Sequence, residues 1–133
     1  MADSVIAPDS VGRVIEYLSG ELGLLVANRL PHELPGEYVR VSRVGGGTFG
    51  RVTDRPMLMI EAWAGTGSRA CEIVFQARSL LSRTGRHIPG LFVTRYAEVG
   101  GPVDLPDPDT NMPRWRFTVE LQCRMIGVDY AGS

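Results

Sequence analysis

The chain has 133 residues, a net charge of −1 and a sequence pI near 6.1, a size that suits one domain with a real core. Its charge balance excludes an overall basic field that would draw it onto nucleic acid or an anionic membrane. Apolar residues make up 44% and charged residues 22%, which places the chain in the ordinary globular range.

From the N-terminus, MADSVIAPDS is acidic and interrupted by Pro8, so it does not read as a signal peptide. Residues 9–20 carry a helix signal. Asp9 or Ser10 can cap it, Val11, Val14, Ile15 and Leu18 repeat at helical spacing, and Gly20 and Gly23 end it. LLVANRL (24–30) reads as a short strand, and EYVRVSRV (37–44) as a strand by its alternation. MLMIEAWA (57–64) is another.

A second helix is predicted from about Ser68 to Arg83, with Ala70, Ile73, Val74, Ala77, Leu80 and Leu81 as its apolar stripe and Gly85 placed to end it. LFVTRYAEV (91–99) is a strand, followed by the long loop GGPVDLPDPDTNMP. RWRFTVELQCRMI (114–126) has the clearest period of two. Trp115, Phe117, Val119, Leu121, Cys123 and Met125 face one way, Arg116, Thr118, Glu120, Gln122 and Arg124 the other.

The order α-β-β-β-α-β-β predicts an α+β domain over 1–133, with two helices on one face of a mixed, mostly antiparallel sheet of four to five strands. Residues 1–8 and 127–133 read as flexible ends. No apolar stretch reaches the roughly 18 residues that span a bilayer. Cys71 and Cys123 form no C-x-x-C pattern, so reduced, buried thiols in a cytoplasm are expected.

GGGTFGRV (45–52) has the form of a kinase glycine-rich loop, and Gly45, Gly47 and Gly50 also fit a dinucleotide fingerprint. The fingerprint needs a following helix N-terminus, where a turn and a strand follow instead. The kinase reading needs a lysine on the next strand, and all fourteen basic residues are arginine. A glycine-permitted connection between strands remains.

DPDTN (107–111) opens like a calcium loop, but Met112 and Thr118 stand where glycine and glutamate belong. His32 and His87 are isolated and read as surface positions. Glu61 and Glu120 read as exposed ladder positions rather than a catalytic pair. The sequence therefore points to no catalytic set, no cofactor and no metal.

Two long loops remain, Gly45–Arg55 and Gly100–Pro113, and long loops in a small domain tend to be functional. Gly46, Gly47, Phe49, Arg51 and Arg55 on one, with Asp107 and Asp109 on the other, are the candidate assembly contacts. Their charges are opposite, and a head-to-tail contact needs two different complementary patches.

The ordered set NRLPHELPGEYVRVSRVGGG, DRPMLMIEAWA, the helix with Ala70 and Ala77, and GGPVDLPDPDTNMPRWRFTVEL resembles the tail-terminator (tail-completion) proteins of siphophages. The versions in phages of actinobacteria are the most similar, and an arginine-only composition fits a GC-rich host. The resemblance covers about residues 20–125. It implies a non-enzymatic α+β virion protein, assembled in the host cytoplasm, that caps the tail tube as a ring, commonly a hexamer. It also implies the tail tube protein and the head–tail connector as partners, DNA only as passing cargo, and no membrane. A head-completion or neck protein of similar size is the second reading. A small nucleotide-binding enzyme using Gly45–Gly50 is the third.

Overall fold

The computed structural model describes residues 4–128. Its elements, in chain order, are Ser4–Ile6 (β1), Ser10–Leu22 (α1), Leu25–Ala27 (β2), Tyr38–Gly45 (β3), Thr48–Phe49 (β4), Thr53–Asp54 (β5), Met57–Trp63 (β6), Gly67–Leu81 (α2), Val93–Asp104 (β7), Arg114–Arg124 (β8) and Ile126–Val128 (β9). This is the expected α+β fold, with both helices and a mostly antiparallel sheet.

Asp9 caps α1, its carboxylate accepting from the Gly12 N–H at 3.0 Å. The helix runs through Gly20 and stops at Gly23, whose φ of 66° returns its N–H to the Ser19 carbonyl. Thr66 caps α2 through the Arg69 N–H. Ser82 ends that helix, so Gly85 is not its stop. Gly85 instead forms a bridge to Val93, exchanging hydrogen bonds of 2.7 and 2.9 Å.

The main sheet holds seven strands where four to five were expected. The five expected ones are β2, β3, β6, β8 and β7; the additional β4 and β5 come from the glycine segment. β6 and then β5 pair along one edge of β8, and β7 takes the other. Only β2 runs parallel to its neighbour, β3. It is shorter than the 24–30 run suggests, because the Asn28 side chain turns to donate to the Val41 carbonyl at 2.9 Å.

The core lies where the period of two puts it. Val41, Ile60 and Phe117 align across three strands, as do Val39, Ala62 and Trp115. All but Trp115 are buried, and they meet Ile73, Val74 and Ala77 of α2 and Val14 and Leu18 of α1 in one cluster. Both helices cover this one face. Leu80 and Trp115 sit at its rim, partly buried. Of the ends read as flexible, 4–6 and 127–128 are strand: 4–6 pair antiparallel with 126–128 in a separate two-stranded ribbon. Residues 1–3 and 129–133 lie outside the described part.

Candidate assembly surfaces at the two ends of the sheet

GGGTFGRV is part of one long hairpin whose arms are β3 with β4 and β5 with β6. The register shifts between Arg43 and Gly45, and there the two arms close in. A Cβ on Gly46 (φ 101°) would lie 1.9 Å from the Arg55 carbonyl oxygen. The Arg55 N–H donates to the Gly47 carbonyl at 2.8 Å. Gly50, at φ 63°, turns the chain at the tip. The glycines thus serve close backbone approach and a turn, and strands rather than a helix N-terminus follow them.

The tip presents Phe49 and Val52, each more than 60% exposed, beside an exposed Arg51. The Arg55 guanidinium sits 5.8 Å from the Phe49 ring centre. Its Nε is buried with no hydrogen-bond partner among the described residues. At the tip's base Arg43 grips the buried Asp54 through two hydrogen bonds of 2.9 and 3.1 Å.

The 100–113 segment is less of a loop than expected. β7 extends to Asp104 through register shifts near Gly100, which leaves a turn of residues 105–113. Asp107 organises it. One carboxylate oxygen accepts from the Trp63 indole N–H at 2.8 Å, the other from the Asp109 N–H at 2.9 Å. Its own backbone bonds Met112 and Asn111. The Asp109 N–H and the Trp63 indole hold the Asp107 carboxyl below its usual pKa. With both oxygens engaged internally, Asp107 positions the turn, and Asp109 is the exposed carboxylate of the pair.

Beneath the turn lies a network that sequence reasoning missed. Glu61 is 1% exposed rather than on a wet ladder. It accepts from Arg40 at 2.8 Å and from Arg114 at 3.2 Å, and both guanidiniums lie within 6 Å of the Trp63 ring centre. Tyr38 stacks on Trp63 at 4.9 Å. Arg114 also donates to the Leu105 carbonyl at 2.8 Å, which ties the network to the turn. The strand-face alternation of Tyr38, Arg40, Glu61, Trp63 and Arg114 was visible, but their shared register was not.

Glu61 and Glu120 do not form a carboxylate pair. Glu120 pairs with Met57, four residues along β6 from Glu61, a separation of roughly 13 Å at strand spacing. Acid–base pairs of glycosidase type stand closer, within about 10 Å. The Cys123 thiol is pushed up to about 12, first by burial and then by the Asp54 carboxylate, so it is an inert core side chain. Cys71 is free and half-buried.

His87 is half-buried rather than fully on the surface. Both ring nitrogens are buried without a partner among the described residues, and burial, with Arg83 nearby, lowers its pKa. Among the described residues no three His, Cys, Asp or Glu side chains group to hold a metal, and no helix is long and apolar enough to cross a membrane.

The two candidate surfaces stand apart. The hairpin tip adjoins Arg124 through the Thr53–Arg124 pairing and a 2.7 Å bond from the Met125 N–H to the Val52 carbonyl. The Asp107 turn adjoins Arg114 at the other end of β8. Ten residues of strand separate them, roughly 33 Å. Within one chain, Arg51 and Arg55 therefore do not meet Asp107 and Asp109.

No protein-family model matches this chain, and no curated protein does. Its fold is similar to that of a chain in the virion of a native gene transfer agent particle, with a TM-score of 0.52 and 14% identity. The likeness covers 87% of this chain and 98% of that one. At that identity it is a likeness of fold.

Proposed function

We propose that this chain is a virion structural protein of a tailed, phage-like particle that caps the tail tube. In this reading copies of the chain form a ring, taken as a hexamer, on the last ring of tube protein. The ring ends tube growth and offers its outer surface to the head–tail connector. The observation that carries the virion reading is the fold likeness to a virion chain over nearly the full length of both proteins. The ordered motif resemblance to siphophage tail terminators supplies the finer role.

The geometry supports work done by surfaces. Two hairpin ends of different chemistry point away from each other along β8, and neither carries a set of groups poised for a reaction. DNA passes through such a ring as cargo. The test is deletion of the whole gene in the particle that encodes it. Tails of uncontrolled length, or full-length tails that fail to join heads, support the role. Normal infectious particles end it.

A further inference from the structure

At the hairpin end, segment 85–92 and the β8–β9 junction line an open cavity of about 340 Å³, bordered by Arg86, Leu91, Phe92, Arg124, Met125 and Ile126. Arg86 and Arg124 each place a guanidinium 4.7 Å from the centre of the Phe92 ring. The Arg124 N–H also bonds the Phe92 carbonyl at 3.1 Å, which fixes ring and strand together. Among the described residues neither arginine has a carboxylate partner, unlike Arg40, Arg43, Arg69, Arg78 and Arg114. The nearest buried carboxylate on that edge, Asp54, is taken by Arg43.

Two cations held on one aromatic ring above an apolar floor form a docking place for a carboxylate carried by an apolar segment. A nucleic-acid backbone is the weaker fit, because it needs a track of cations and the chain's net charge is −1. The complementary segment lies at the far end of the same sheet. The turn Leu105-Pro-Asp-Pro-Asp exposes Asp109, with Asp104 exposed just before it. Asp107 and its bond to Trp63 hold that turn in shape, so it docks with little ordering cost.

We propose that the Arg86–Phe92–Arg124 cavity receives the Asp109 turn of a second copy of this chain, in a head-to-tail contact. The two patches differ and sit at opposite ends, so the contact is heterologous and propagates around a ring or along a column. This rests on the reading of the chain as one that assembles with itself. It replaces Arg51 and Arg55 by Arg86 and Arg124 as the partners of the acidic turn.

The test is NMR of the isolated protein from micromolar to millimolar concentration, with two variants, Arg124→Glu and Asp109→Arg. Both positions are exposed, so each variant keeps the parent melting temperature. The expected result is that signals of 86–92 and of 104–110 shift together with concentration. Each variant alone should associate at least about tenfold more weakly, because each places like charges together, and an equimolar mixture should recover the loss.

The contact is overturned if the two sets of signals stay fixed up to millimolar concentration, or if the mixture is no stronger than either variant. It is also overturned if a short DNA duplex, and not a second copy, shifts the 86–92 signals. The outcome is separable from the functional reading. Particles that lack the chain sink the virion role alone; particles that assemble normally with either variant alone sink the contact alone.

Discussion

The two hairpin ends are built on opposite principles. The β3–β6 hairpin is shaped by its backbone: Gly46 lets two arms touch, Gly50 turns the chain, and the tip side chains Phe49 and Val52 stay exposed. The β7–β8 turn is shaped by side chains. Asp107, Trp63, Arg114 and the buried Glu61 bind it to the sheet through residues distant in sequence. The first end is held by close backbone approach, and the second is preorganised by side chains anchored in the sheet.

The largest effect belongs to the sheet that both ends share. Phe117→Ala removes a buried ring at the β8 end of the Val41–Ile60–Phe117 row and should cost about 3–5 kcal/mol. Glu120→Ala, on the opposite face of β8, should stay within about 0.5 kcal/mol. Thermal or denaturant unfolding reads both, and the reverse ranking would mean the β8 register is inverted.

Glu61→Ala comes next and should divide the two ends. It leaves Arg40 and Arg114 facing each other without their shared carboxylate, a loss of about 3 kcal/mol. Amide exchange should rise in 105–113, which Arg114 ties down, and change little in 48–53. Equal loosening of both ends would mean that the two are held by the same network.

How much of this was readable follows the same division. The helices, the five expected strands of the main sheet and the inward face of β8 rest on local pattern, and they appear with their ends displaced. The glycine segment was legible as a connection between strands. Its two short strands were not, because pairing at Thr48–Phe49 depends on the register shift at Arg43–Gly45 that precedes it. The acidic turn was legible as stiff from its prolines, but not as anchored. The anchor is Trp63, 44 positions away, and no spacing rule connects the two. Glu61 looked like a solvent-facing rung because alternation reports which face a residue takes and not what covers that face. In this protein two arginines cover it.

Gly46→Ala and Gly50→Ala test whether the glycine end is backbone-controlled. The first adds a methyl group where the Arg55 carbonyl stands, and at a left-handed φ. It should cost about 2–3 kcal/mol and shift the β4–β5 register. The second adds only left-handed strain in open space, about 1 kcal/mol. Equal costs would show that strain alone governs this end and that the close approach of the arms is unimportant.

Trp63→Phe sharpens the comparison most, because it acts on the acidic end and leaves the hydrophobic cluster under the helices intact. Trp63→Phe keeps the stack on Tyr38 but removes the indole donor to Asp107, and should cost about 1–2 kcal/mol. The loss should carry a pH signature. The Asp107 carboxyl titrates below its ordinary value of 3.8 when folded, held there by the Asp109 N–H and the Trp63 indole. A depressed pKa contributes stability that is fully present above the unfolded value and is lost as pH falls through the folded one. In the parent protein, exchange protection of 105–113 should therefore hold at pH 5 and above and fade as the pH drops below 3.8. In Trp63→Phe the fade should be smaller and end at a higher pH, and Asp107→Asn should abolish this titration while the glycine hairpin keeps its parent behaviour. If acid loosens both ends in step, the turn is held by the sheet as a whole and not by Asp107.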